Sequence, residues 1–395
     1  MTMGTRRVMK ELGDALHFIC SLEFWRMAVF WTLSLLISYC RLLFSPHIKS
    51  YARCSPAASP INNKPICIIT GVISYLHFFP SSPPNKFAPN CSLFVCFTAF
   101  SSFCCRLHQG WVRRLLMLFQ RKVSASSLIV EEIKSRNKDA HLKVFQVDIS
   151  SFQSILNFKG CLQRWLLDSN MDSSIQLLIN NAGILATSCR FTAEGYDQMM
   201  ATNYIGAFCL TKLLLPLLRN SPVPSRIVNV TSFTHRNVFD MQVDKETVSG
   251  KWFLGAKRYP CARIYENSKL CLLLFSYELH RQLCLMEKPQ VSVIAVDPGV
   301  VETNIMREVP SCLSHVALTV LKLLGLLQSP EQGISAILDA ALAPPDISGL
   351  HFFGGKGRTL NSSALSHNTK LAQELWTTSC DLFSQSKVVV KETST

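Results

Sequence analysis

The run Pro65-Ile-Cys-Ile-Ile-Thr70-Gly71 constrains this chain more than any other stretch of it. It carries no charge and is apolar at successive positions, so as a strand it needs cover on both faces, and it ends at a glycine that permits a tight turn. Strands of that kind belong to parallel sheets sandwiched between helices. Comparable apolar runs recur at 144–148, 175–179, 226–230 and 291–296. Between and after them lie helical patterns, one ending near Asp168, one at about 192–218 and a long one at about 265–285. That alternation predicts an α/β fold, a doubly wound parallel sheet of Rossmann-like type, in a single domain. No internal repeat is visible.

At 395 residues the chain exceeds one average domain. One α/β unit of about 250–300 residues plus an anchor and an insertion would fill it. Hydrophobic residues make up 48% of the chain, which points to a membrane segment or a large lipophilic pocket. The formal net charge of +14 comes from scattered residues, without a basic run interleaved with aromatics. It therefore fits anionic lipid and excludes a nucleic-acid partner. The 16 cysteines follow no disulfide or zinc spacing, read as reduced thiols, and imply no metal site.

Residues 27–40 are uncharged and apolar, and Leu42, Leu43 and Phe44 carry the stretch past Arg41. A transmembrane helix at about 25–44, a retained signal-anchor, is expected. Arg6, Arg7, Lys10 and Arg26 precede it and Arg41, Lys49, Arg53 and Lys64 follow, so charge gives no orientation. The expected organisation is an anchor and linker over 1–64, the catalytic domain over 65–71 and 131–360, an aberrant segment over 72–130, and a tail over 361–395.

The aberrant segment contains no Asp or Glu from 72 to about 110, clusters Pro, and is rich in Phe, Ser and Cys. It shows neither helical nor strand period. Its residues have pyrimidine-rich codons, Val72 can supply a GT, and Cys105-Arg106 can supply an AG. Read onward in the shifted frame, the codons allowed after Arg106 include ones for a T-G-x-x-x-G-x-G loop followed by an alanine-rich helix. A retained intron explains both features, with a surface insertion as the plainer alternative. A second irregularity is expected near 123–130, with the second strand absent or mangled.

Tyr265 and Lys269, in Tyr-Glu-Asn-Ser-Lys, stand at i and i+4 on one helix face. A nearby ammonium favours phenolate and lowers the phenol pKa, which suits proton exchange with a substrate oxygen. Ser232 ends the strand Arg226-Ile-Val-Asn-Val-Thr-Ser, and Asn203 lies on the preceding helix in Met-Ala-Thr-Asn.

In that order these residues resemble the short-chain dehydrogenase/reductases, over roughly 66–71 and 131–357. The resemblance implies Tyr265 as general acid/base, Lys269 as its pKa-lowering partner and a hold on the nicotinamide ribose, Ser232 as polariser of the substrate oxygen, and Asn203 as carrier of a relay water. It also assigns Thr70 and Gly71 to the start of the cofactor loop. Asn181, Ala182 and Gly183 correspond to the family's N-N-A-G turn, and Asp148 to the residue facing adenine. Pro298 and Gly299 form the turn under the nicotinamide, and Thr303 meets its carboxamide. The wide spacing from Ser232 to Tyr265 is similar to that of the retinol-dehydrogenase-like branch. Expected are NADP or NAD as cofactor, a small lipophilic alcohol or carbonyl substrate of isoprenoid, retinoid or steroid-like type, and a place in the endoplasmic reticulum membrane, with a homodimer left open. The apolar run at 313–327 is either plain core or a lipid-facing lid. The rival reading is an inactive, membrane-tethered product unable to bind dinucleotide, because the glycine loop is disrupted.

Overall fold

The computed structural model describes residues 3–45, 48–54, 65–71, 114–119, 131, 133–135, 138, 141–256, 258–286 and 290–393. Within them a seven-stranded, wholly parallel sheet has the order β3-β2-β1-β4-β5-β6-β9. Its strands are β1 Ile66–Thr70, β2 Arg114–Phe119, β3 His141–Gln146, β4 Leu177–Asn180, β5 Ser225–Val230, β6 Val291–Asp297 and β9 Leu350–Phe353. Two short strands, β7 Val300–Val301 and β8 Leu327–Gln328, pair separately beside it. The expected doubly wound α/β fold is the observed one.

Burial explains the strand compositions. Every residue of β1, β4, β5 and β6 is buried, because helices cover both faces. One face packs a core against helices Phe152–Asp168, Gln198–Arg219, Cys261–Cys284 and Thr369–Thr393. The other meets helix Pro330–Ala341 through Ile334, Ile337 and Leu338. Ser329 opens that helix with a capping box to Gln332 and Pro330 in its first turn, a local signal for starting there.

Two expectations need correction. The second strand is present: Arg114–Phe119 pairs with β1 on one side and β3 on the other, inside the segment expected to be aberrant. Met117 and Leu118 are buried, so five consecutive apolar residues after Arg114 suffice for an interior strand without a β-branched side chain. The supposed tail after residue 360 contains helix Thr369–Thr393, whose Leu375, Leu382 and Phe383 enter the main core. The remaining residues of the expected intron-like segment lie outside the described residues.

The order reverses between β1 and β4, since β1 leads outward to β2 and the chain returns to β4 on its other side. A crevice at the carboxyl ends of the strands forms at such a switch point.

Candidate active site

At that crevice β1 and β4 are stitched together by their terminal residues. Thr70 Oγ1 accepts hydrogen bonds from the amides of Asn181 at 3.0 Å and Ala182 at 2.9 Å, and Asn181 Nδ2 donates to the Thr70 carbonyl at 3.0 Å. Gly71 follows at φ +78°, and a Cβ there would stand 2.4 Å from Ala182 Cα. Only glycine fits both the conformation and the space. Asp148 sits two residues beyond β3, where its Oδ1 accepts from the amide and hydroxyl of Ser150. It thus shapes the turn into helix Phe152–Asp168, whose cap is Ser151.

Asn203 lies on a widened, π-type turn over Ala201–Ile205 within helix Gln198–Arg219. Such turns cost helix regularity and recur at functional positions. Fully buried, its amide is engaged on both atoms: Oδ1 accepts from Ile184 N at 2.8 Å, and Nδ2 donates to Ile184 O and Ser268 Oγ. Gly183 leaves open space between Lys269 and Asn203, where a Cβ would lie 3.4 Å from Lys269 Nζ and 3.6 Å from Asn203 Oδ1.

Tyr265 and Lys269 project from helix Cys261–Cys284 as the i, i+4 spacing requires. Lys269 Nζ donates to Val230 O at 3.1 Å, which ties the ammonium to the end of β5, and lies 5.6 Å from the Tyr265 ring centroid. Ser232, just past β5, caps a short 3-10 turn over Phe233–Asn237 and reaches the Tyr265 hydroxyl. Pro298, Gly299 and Thr303 follow β6 and line the same cavity as Gly71, Asn181, Gly183, Ser232, Tyr265 and Lys269. Gly299 again needs its positive φ of +79°. The structure therefore brings Ser232, Tyr265 and Lys269 together with Pro298, Gly299 and Thr303 in one cavity, with Asn203 buried behind Gly183, while Asp148 stands apart on its turn.

The electrostatics differ from the expectation in one respect. Burial pushes the Tyr265 phenol upward, the negative charge of Asp297 pushes it further, and Ser232 opposes both. Burial brings the Lys269 ammonium down to about 8, against the pull of Asp297. Asp297 is itself raised to about 6 by burial, opposed by the Gly299 amide, Arg236 and Lys269. The reason is solvation: each group is cut off from water, and desolvation disfavours each charged form.

The cavity, about 390 Å³, is walled largely by apolar side chains. Helix Leu22–Phe44 contributes Met27, Ala28 and Trp31, and helix Ser311–Leu323 contributes Leu313, Val316 and Val320. Ser232, Tyr265 and Lys269 are among the few polar residues that line it. That is a site for an apolar molecule bearing one reactive oxygen.

Sequence comparison agrees. The profile of the short chain dehydrogenase family matches residues 113–243. Polyprenol dehydrogenase of Danio rerio is 33% identical over 258 residues, 64% of this chain and 74% of that protein. The chain belongs to the short-chain dehydrogenase/reductase family. Retinol dehydrogenase 12 of Mus musculus is 32% identical over 66% of the chain and 76% of its own length. The Arabidopsis thaliana family member FEY is 30% identical over 68% and 71%. This short-chain dehydrogenase/reductase is thus a nicotinamide-dependent oxidoreductase of the retinol-dehydrogenase-like branch. Among solved structures, an uncharacterized protein from Mycobacterium paratuberculosis aligns with TM-score 0.56 at 22% identity, covering 84% of this chain and 98% of its own, and shares the fold.

Three residues of the site escaped sequence reasoning. Trp31 comes from the presumed anchor, yet its indole packs on Tyr265 with centroids 5.5 Å apart. Glu266, inside the Tyr-Lys motif itself, binds Arg26 and Trp31. Asp297 had no assigned role, although its Oδ2 is buried without a hydrogen-bond partner. An acidic residue inside a buried helix motif, facing an arginine inside an apolar run, was the available signal.

Proposed function

We propose that this protein interconverts a lipophilic alcohol and its carbonyl compound, of isoprenoid, retinoid or steroid-like type, using NADP or NAD. The observation that carries this reading is the shared cavity, in which Ser232, Tyr265 and Lys269 line a largely apolar space. The named relatives act on polyprenol and retinol, as their names state, which supports the substrate class. Gly183 leaves room that a Cβ would fill, and Lys269 beside it offers a cation, so these residues fit the nicotinamide end of a dinucleotide.

A nicotinamide held beside Gly183 and Lys269 would supply the hydride chemistry at the substrate carbon. Tyr265 then acts as general acid/base at the substrate oxygen. Its raised phenol is protonated at neutral pH, a state ready to donate a proton during carbonyl reduction. Ser232 positions the oxygen by hydrogen bonding, and Lys269 supplies positive charge next to the phenol ring. Asn203 holds the Ile184 segment and leads, through Ser268, back to the catalytic helix, a placement suited to carrying a relay water. The endoplasmic reticulum membrane is the proposed location, from the apolar N-terminal helix and the relatives.

The test is turnover by the full chain in detergent with retinal, a polyprenal and a steroid ketone, each with NADPH and with NADH. Tyr265→Phe should abolish conversion with unchanged circular dichroism, and retained conversion removes Tyr265 from this role. A second reading has its own observation: Val72-Ile-Ser-Tyr follows Gly71 where the family places its glycine loop. Without that loop the pyrophosphate lacks its cluster of backbone donors, and the chain is a tethered product without turnover. Fluorescence titration with NADPH separates the two, since micromolar binding refutes the second.

A further inference from the structure

Helix Leu22–Phe44 is long and apolar enough to cross a bilayer. Its inner face, however, is fastened to the catalytic domain along most of its length. Arg26 forks onto both carboxylate oxygens of Glu266, whose side chain is fully buried. Ser34 donates to Asn237 Oδ1 at 2.8 Å, Leu35 and Leu42 are buried, and Tyr39 meets Phe353 edge-on at 5.2 Å. From Arg26 to Leu42 the helix runs about 24 Å. That approaches the roughly 30 Å of a hydrocarbon core.

Crossing the bilayer with these contacts kept would draw Glu266, Asn237 and their neighbours into hydrocarbon. Crossing with them broken would strand a buried carboxylate. Either costs several kcal/mol, on the order of the penalty for an unpaired buried charge.

The outer face of the same helix is apolar and open, with Val29, Leu33 and Ile37 exposed at steps of four residues and Leu22, Phe30 and Phe44 exposed as well. Helix Met3–Ile19 touches both its start and helix Ser311–Leu323. These neighbours add Met9, Leu12 and Leu16, and Val316, Val320 and Leu323. Val316 and Val320 line the cavity and also stand exposed, so its mouth opens on this side. Exposed Arg41 and Lys322 sit in the last turns of two of the helices, positioned for anionic headgroups.

We propose that these three helices form an in-plane docking surface for one leaflet of a phospholipid bilayer, so that the cavity above Tyr265 opens into the acyl region. A second copy of the chain is the poorer occupant, because two molecules of formal charge +14 repel and would seal the mouth. The surface supplies an entry route for a lipophilic substrate and so deepens the proposed function. Its test reads topology and binding without turnover, so the two fail separately.

In endoplasmic-reticulum microsomes, glycosylation acceptor tags are placed in separate full-length chains, one before Met3 and one within 55–64. Both tags should end in the same state, both modified or both bare. Opposite states overturn the proposal. Flotation on phosphatidylcholine/phosphatidylserine vesicles should fall at least tenfold for the Val29→Asp/Leu33→Asp/Ile37→Asp chain with unchanged helical signal. Unchanged flotation overturns it, as does a lipid-free dimer that this variant dissociates. Should the triple Asp chain lose its helical signal, the triple Ala chain is read instead, with a two- to fivefold fall expected and none overturning the proposal.

Discussion

Trp31 Nε1 donates to Glu266 Oε1 at 2.7 Å while the same indole lies 5.5 Å from the ring of Tyr265, so the N-terminal helix is joined to helix Cys261–Cys284 beside the Tyr265 phenol. Arg26 completes the junction with 3.0 and 2.8 Å bonds from Nε to the two Glu266 oxygens and a 3.0 Å bond to the Asn237 carbonyl.

Removing one partner leaves the other charge buried alone. Arg26→Met should therefore destabilise the protein by about 3 kcal/mol, the cost of breaking a buried pair. Arg26→Met/Glu266→Met should recover most of that loss, because apolar replacement of both partners is often neutral. Denaturant midpoints in detergent give the comparison. Equal midpoints for the single and double variants would show that the pair is not coupled.

Asp297 predicts a pH dependence of unusual sign for a carboxylate. Its pKa rises from 3.8 to about 6 in the fold, so between those values the unfolded chain is ionised while the folded one keeps its proton. Stability from this group is then full below pH 4 and lost as pH rises through 6, by about 3 kcal/mol at most. Asp297→Asn should gain stability at pH 7.5 relative to pH 4. It should also lower the Tyr265 and Lys269 titrations, since the Asp297 charge raises both. The ultraviolet phenolate signal, as the difference from a Tyr265→Phe chain, reads the former, and an unmoved titration counts against the assignment.

Gly71 tests the stitch between β1 and β4. Gly71→Ala places a methyl 2.4 Å from Ala182 Cα at a φ of +78°. The cost should reach about 2 kcal/mol or more, since strain and overpacking add. Gly160→Ala, on a helix with nothing within 4 Å, should be neutral or slightly stabilising. Similar losses at both positions would remove the packing argument.

How much of this was legible depended on range. The strands 226–230 and 291–296 were read within one residue of Ser225–Val230 and Val291–Asp297, because full burial on both faces leaves an unbroken apolar run. β3 was misplaced by two to three residues, since His141–Gln146 lies toward the sheet edge and its alternation of exposed and part-buried residues resembles a loop margin. The Tyr265–Lys269 spacing is local and was readable. The Arg26–Glu266 pair spans 240 residues, and no local pattern encodes a contact at that separation. Arg114–Phe119 escapes sequence reading because the composition of its surroundings outweighs five apolar residues that need only a place between β1 and β3.

Two histidines should oppose Asp297 across the acid range. His235 Nδ1 donates to Ser232 O at 2.6 Å while its Nε2 accepts from the Ser363 amide at 3.2 Å, a pair that fixes one neutral tautomer and joins Ser232 to the segment after β9. His351 Nδ1 donates to Leu360 O at 3.0 Å, 5.4 Å between ring centroids from His235. Burial first, then neighbouring cations that include Arg236, push His235 well below 6.5 and His351 down to about 3. Below pH 6.5 the unfolded chain gains protons that the folded one refuses, so this contribution falls as pH drops toward 3. In that window Asp297 contributes with the opposite slope. Asp297→Asn should therefore make acid destabilisation steeper, and His235→Gln/His351→Gln should make it shallower, with Gln keeping an amide donor toward each carbonyl. Denaturant midpoints at pH 4.5, 5.5, 6.5 and 7.5 separate the effects, and parallel profiles for all three chains would show that neither the histidines nor Asp297 carry the pH dependence.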